Sequence, residues 1–196
     1  MTTVIIDSGG ANLASLQFAF ERLGAKTRVT SDAREIAAAP RVVLPGVGSA
    51  ADAMERLHRS GIAPLLPSLT QPVLGVCLGM QLLFERSEEG ATPCLGILRG
   101  EVRRLTAGPG RPVPHMGWNQ LRIREADPLL AGLGPDAYFY FVHGYAVRAC
   151  ELAVAQVEYG EALSAVVRQG NFWGVQFHPE RSAANGARLL GNFLDL

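Results

Sequence analysis

Of the three cysteines in this 196-residue chain, Cys77, Cys94 and Cys150, one stands where chemistry can use it. The segment Gly75-Val76-Cys77-Leu78-Gly79 joins an apolar run, Pro72 to Val76, to the helical pattern Met80-Gln81-Leu82-Leu83-Phe84. A nucleophile between glycines at a strand-to-helix junction is an elbow, because small neighbours permit a strained turn that pushes the reactive side chain out of the backbone. The unpaired N–H groups at the start of the helix stabilise an anionic sulfur. Cys94 and Cys150 lack such a setting and read as small structural side chains.

A sulfur nucleophile needs a base, and the base needs an orienting group. Four histidines are available. His58 lies in the polar stretch Glu55-Arg56-Leu57-His58-Arg59 and reads as solvated; His115 falls in a Pro/Gly-rich segment. His143 ends the aromatic run Tyr138 to Val142, which favours a hydrogen-bonded structural role. His178 follows Trp173-Gly174-Val175-Gln176-Phe177, so it is expected at the end of a buried strand, where open α/β sheets hold their ligands. Pro179 cannot extend a hydrogen-bond ladder, and Glu180, two residues past His178, is expected on the same side of the strand to hold the imidazole. An attacked carbonyl becomes an oxyanion, for which the turn Pro45-Gly46-Val47-Gly48 and the N–H of Leu78 offer donors, with Val47 and Leu78 the expected pair. Gln81, one helical turn beyond Cys77, points back toward the same place and suits a polar substrate.

The elements that must position these groups alternate through the first half of the chain, the pattern of a parallel sheet covered by helices. Val4-Ile5-Ile6, Thr27 to Thr30, Arg41 to Leu44 and Pro72 to Val76 read as strands. A helix from about Asn12 carries Leu13, Leu16, Phe20 and Leu23 at helical spacing and stops at Gly24. A short alanine-rich helix is capped by Ser31 or Asp32. From about residue 97 the segments Gly100 to Leu105, Tyr138 to Val142, Leu152 to Tyr159, Leu163 to Val167 and Phe172 to Phe177 read as strands without helices between them. They predict an antiparallel extension of the main sheet. Ala107 to Gly117 holds too many prolines and glycines for regular structure, and Ala183 to Leu194 reads as a closing helix. The expectation is one α/β domain over residues 1–196.

Eighteen basic and eighteen acidic residues cancel, so nothing advertises nucleic acid or an anionic membrane as partner. Hydrophobic residues make up 48% and charged ones 18%, too apolar for disorder, and no apolar run approaches the roughly 20 residues of a membrane span. The first residues lack the basic segment and apolar core of a signal peptide, so the cytoplasm is the expected compartment. There is no CxxC pair to suggest zinc, and no metal site is expected. Lys26 is the lone lysine among the 18 basic residues, a bias that makes any Lys-to-Arg exchange uninformative.

Gly75 to Gln81 together with Gln176-Phe177-His178-Pro179-Glu180 resembles the class I, triad-type glutamine amidotransferases. Pro45 to Ser49, Ser87-Glu88-Glu89, Pro114-His115-Met116-Gly117-Trp118-Asn119 and Tyr138 to His143 narrow the resemblance to the glutaminase subunits of imidazole glycerol phosphate synthases. The resemblance spans nearly the whole chain and implies a flavodoxin-like α/β fold and hydrolysis of L-glutamine to glutamate and ammonia, with no cofactor. It implies a glutamyl thioester on Cys77, proton shuttling by His178 and orientation of His178 by Glu180. Gly46, Gly48, Gln81, Gly144 and Tyr145 would hold glutamine. Asn12, Met116, Trp118, Asn119, Tyr138 and Arg181 would face a (β/α)8 barrel subunit in a heterodimer, which consumes the ammonia in histidine biosynthesis. Three positions depart from the pattern: Gly144 replaces a hydroxyl residue, Arg181 a lysine, and the glycines of Ser8-Gly9-Gly10 are shifted. Two other readings stay open here, a glutaminase serving a different synthase, such as that of pyridoxal phosphate, and a catalytically silent module that stabilises its partner.

Overall fold

The computed structural model describes residues 2–8 and 13–196. The strands are β1 (Thr2–Ile6), β2 (Lys26–Thr30), β3 (Arg41–Leu44), β4 (Val73–Val76), β5 (Arg86–Ser87), β6 (Thr92–Pro93), β7 (Glu101–Arg104), β8 (His115–Gln120), β9 (Arg122–Ile123), β10 (Tyr138–His143), β11 (Tyr145–Ala146), β12 (Ala153–Glu158), β13 (Ala162–Gln169) and β14 (Phe172–Val175). The helices are α1 (Leu13–Arg22), α2 (Ala33–Ala38), α3 (Ala50–Arg59), α4 (Leu78–Leu82) and α5 (Ala183–Leu194).

The main sheet runs β2-β1-β3-β4-β14-β13-β12-β9, with its first five strands parallel and the rest antiparallel. Its central strands β4 and β14 are buried at every position, as a sheet covered on both faces requires. Alternation sorts their side chains into two cores. Ile5, Val43, Leu74 and Val76 pack with Leu16 and Phe20 of α1 and Leu189 and Phe193 of α5. Val4, Ile6, Val42, Leu44 and Val73 pack with Ile36 of α2, Met54 and Leu57 of α3 and Leu82 of α4. Asp32 caps α2, its side chain accepting from Arg34 N at 2.7 Å, and Gly24 takes the left-handed conformation (φ +78°) that ends the turn after α1. Among the described residues no helix is long and apolar enough to cross a membrane.

The expected antiparallel extension exists, but not all the later strands join it. β7 leaves to pair with β11 and β5 in a four-stranded sheet, and among the described residues β10 pairs only with β8. β8 also corrects the reading of residues 107–117 as loop throughout, because His115, Met116 and Gly117 are strand residues opposite His143, Val142 and Phe141. Breaker counting fails here since Gly117 sits in the ribbon at φ +135°, a conformation glycine tolerates and the local pattern does not disclose.

Candidate active site

Three neighbouring parallel strands end at one rim, and each contributes. Past β3 comes the Pro45 to Gly48 turn, past β4 comes Cys77, and past β14 come His178 and Glu180. The cleft between them, about 420 Å³, is lined by Gly46, Val47, Gly48, Cys77, Leu78 and Gln81, together with Glu89, Pro114, Val142 to Tyr145, His178 and Arg181.

Cys77 adopts φ +54° and ψ −111°, a conformation costly for a residue with a side chain and the backbone signature of an elbow. The glycines around it are sterically required. A Cβ on Gly79 would lie 1.9 Å from Leu44 O, and one on Gly75 would lie 2.8 Å from Gly79 O. One on Gly46 would meet Gly79 N at 2.6 Å, so the turn after β3 and the elbow after β4 touch backbone to backbone. Cys77 Sγ lies 3.9 Å from both Val142 O and Gln176 Nε2.

His178 lines the cleft together with Cys77, and its Nδ1 is 2.8 Å from Glu180 Oε1. Burial disfavours the imidazolium, but the hydrogen-bonding and electrostatic interactions with Cys77 and Glu180 outweigh it and push the His178 pKa up to about 10. The His178–Glu180 contact does not come from strand alternation as expected. β14 stops at Val175, and residues Pro179–Arg181 form a 3-10 turn that His178 caps. Proline fixes φ for the first turn residue, and the tight turn brings Glu180 back to the ring. Ser182, which the sequence reading passed over, secures that turn: its Oγ donates to His178 O at 2.7 Å and accepts from Tyr140 N at 3.0 Å, while His178 N donates to Tyr140 O at 2.9 Å. Behind it, a Cβ on Gly186 of α5 would sit 1.9 Å from Pro179 O, so the helix backbone rests on the turn.

Gln81 is buried, and its Nε2 donates both to Tyr145 O at 2.8 Å and to Gln176 Oε1 at 3.0 Å. Both amide hydrogens are committed, which leaves its carbonyl oxygen as the group to offer a substrate and turns Gln176 Nε2 toward Cys77. The sequence pattern alone assigns Gln176 no role. The same holds for Glu89, whose Oε2 accepts from Ala50 N at 2.8 Å while the residue borders the cleft. A Cβ on Gly144 would meet only Val113 Cγ1, at 3.8 Å, so space does not exclude a side chain there. Among the described residues no group of three or more His, Cys, Asp or Glu side chains is arranged to hold a metal ion.

The remaining candidates divide by ribbon face. Met116, Trp118 and Tyr138 share one face of β8 and β10 and are exposed by 66%, 53% and 47%, an apolar patch whose neighbour Val142 borders the cleft. Arg181 lines the cleft and is exposed. Asn119 lies on the opposite face, its Nδ2 donating to Glu158 O at 3.0 Å. Asn12 lies outside the described residues.

The model of the class-I glutamine amidotransferase family matches residues 4–196. Among curated proteins, the chain is 55% identical over 197 positions to the imidazole glycerol phosphate synthase subunit HisH of Xylella fastidiosa strain Temecula1, covering 100% of this chain and 98% of that one. It is 48% identical over 199 positions to the HisH subunit of Vibrio cholerae, covering 98% of each. Two solved structures share the fold. One described as a glutamine amidotransferase aligns at TM-score 0.77 and 21% identity over 98% of this chain and 97% of that one. PurLQS from Thermotoga maritima aligns at TM-score 0.71 and 18% identity over 99% and 97%.

Proposed function

From the premise that the chain belongs to the class-I glutamine amidotransferase family, as a glutaminase subunit of imidazole glycerol phosphate synthase in histidine biosynthesis, we propose how its residues perform the reaction. Cys77 Sγ attacks the side-chain carbonyl carbon of L-glutamine. The oxyanion is held by the N–H groups of Val47 and Leu78, and His178 gives its proton to the departing nitrogen, which leaves as ammonia. Water then attacks the thioester while His178 takes its proton, and glutamate departs as the sulfur is restored. Glu180 keeps the imidazole oriented and offsets its charge. Gly46, Gly48, Gln81, Gly144 and Tyr145 surround the substrate, and Glu89 is the carboxylate in the lining suited to an amino acid's ammonium group.

The observation that carries this reading is the convergence of a strained cysteine, an imidazole in the same cleft, and a carboxylate 2.8 Å from that imidazole. The ammonia then passes to a (β/α)8 barrel subunit, with which the chain forms a heterodimer. Ammonia released to water near neutral pH is mostly protonated and non-nucleophilic, so a closed path between subunits preserves it. Met116, Trp118 and Tyr138 provide the exposed aromatic and methionine side chains that interface cores favour, with Arg181 at the cleft mouth completing the contact. Asn119, turned to the other face of the ribbon, is left out of that contact. The cytoplasm, where such biosynthesis occurs, is the compartment.

The test is Cys77→Ala in complex with the barrel subunit. Glutamine-dependent synthesis is expected to fall by about 10⁴-fold or more, while synthesis supplied with ammonium salts persists. Retained glutamine dependence would overturn the assignment.

A further inference from the structure

His143 borders the proposed glutamine cleft yet takes no part in the chemistry above, and it is not alone. Its Nδ1 is 2.9 Å from Tyr145 O, and its Nε2 is 3.1 Å from His115 Nδ1. His115 Nε2 in turn lies 3.3 Å from Asn119 Nδ2. The direction of every bond in this series follows from its two ends. Tyr145 O is a carbonyl and only accepts, so His143 must carry its proton on Nδ1. A neutral His143 then has a bare Nε2, which obliges His115 to donate from its own Nδ1 and leaves His115 Nε2 bare. Asn119 supplies the donor that nitrogen needs. Its amide orientation is set independently, because Nδ2 also donates to Glu158 O at 3.0 Å while Oδ1 accepts from Gln120 N at 2.8 Å.

Both rings are buried, and His115 is sandwiched between Phe141, at 4.9 Å between centroids, and Tyr159, at 3.9 Å. Placing a second proton on either ring would set two donors face to face, so the series holds together only while both rings are neutral. Its far end is Tyr145 O, which accepts from Gln81 as well. That oxygen therefore ties the histidine pair to the one glutamine side chain whose other hydrogen fixes Gln176 against Cys77.

We propose that His115 and His143 are positioning residues for substrate binding: a hydrogen-bonded imidazole pair of fixed direction that anchors the Tyr145 carbonyl, and through it the Gly144–Tyr145 wall and the Gln81 side chain of the cleft. The role in glutamine binding rests on the function proposed above; the direction of the bonds does not. Without the proton from His115, His143 Nε2 is left unsatisfied beside the cleft, where it draws in water or turns toward the substrate.

Two measurements test this. In the full chain labelled with ¹⁵N-histidine, imidazole shifts at neutral pH should show a protonated Nδ1 and a bare Nε2 on both His115 and His143. A proton on Nε2 of either ring would overturn the proposal. In glutamine hydrolysis by the complex with the barrel subunit, His115→Phe keeps the ring stack and loses the bonds. It should raise KM for glutamine about tenfold with kcat within about twofold, while His115→Asn, which keeps a donor at the δ position, should bring KM back to within about threefold of the parent. An unchanged KM for the phenylalanine variant, a fall in kcat at constant KM, or an asparagine variant no better than phenylalanine would each overturn it. If the parent complex hydrolyses no glutamine, the proposed function fails, and the tautomer spectrum still decides the direction of the pair.

Discussion

His178 and His143 border the same cleft, one beyond the end of β14 and the other at the end of β10, and their surroundings shift their pKa values in opposite directions. His178 has Cys77 and Glu180 as partners, and its pKa rises to about 10. His143 has a carbonyl and a second imidazole, and burial, with the nearby His115 and His178, pushes its pKa down to about 3. Burial pushes His115 down to about 4. Burial by itself disfavours the imidazolium in every case, so the difference teaches that anionic partners decide which ring keeps its proton.

Glu180→Gln tests the charged side of this contrast most severely. Removing the carboxylate should lower the His178 pKa, shift the alkaline limb of the glutaminase pH profile to lower pH, and reduce kcat on the order of 10²-fold. A profile with an unmoved alkaline limb would mean that Glu180 does not set the charge of His178.

Trp118→Ala asks whether the two faces of the β8–β10 ribbon are separable. The outer face should lose a docking anchor, weakening association with the barrel subunit by about 10- to 30-fold in a binding titration, since a buried aromatic anchor at an interface is worth about 2 kcal/mol. The imidazole shifts of His115 and His143 on the inner face should stay as in the parent; movement of those shifts would show the faces to be one unit.

The smallest effect is in stability. His143 and His115 have folded-state pKa values of about 3 and about 4, below the ordinary 6.5. The unfolded chain therefore binds more protons below pH 6.5. Their contribution is complete above that pH, declines below it and is lost as pH falls through about 4 for His115 and about 3 for His143. His178 works in the other direction, contributing fully below pH 6.5 and losing its contribution as pH rises toward 10. Denaturant unfolding between pH 6.5 and 4 should show a shallower loss of stability for His115→Phe than for the parent. Equal slopes would show that His115 does not resist protonation in the folded state.

How much was legible beforehand differs from residue to residue for physical reasons. The elbow was readable because its requirement is local: Gly75 and Gly79 flank the nucleophile in sequence, and the structure shows a Cβ at either colliding with backbone. His178 and Glu180 were readable as a pair, but the reason for their contact was not, since a 3-10 turn rather than strand alternation delivers it. Ser182 carried no chemical pattern at all, and its value appears only where Tyr140 of a separate strand meets it. His115 reads as a loop residue in the sequence because the prolines and glycines before it outweigh the alternation that begins with it.

By itself, the sequence determined the periods of the parallel strands and singled out Cys77, His178 and Glu180 as candidates, because hydrophobic spacing and local backbone allowances act between near neighbours. Tertiary structure alone decided which distant groups meet, and therefore which imidazole is charged. Electrostatic environment is set by atoms a few ångströms away in space, and those around His143 come from residues 28 positions earlier and 35 positions later in the chain.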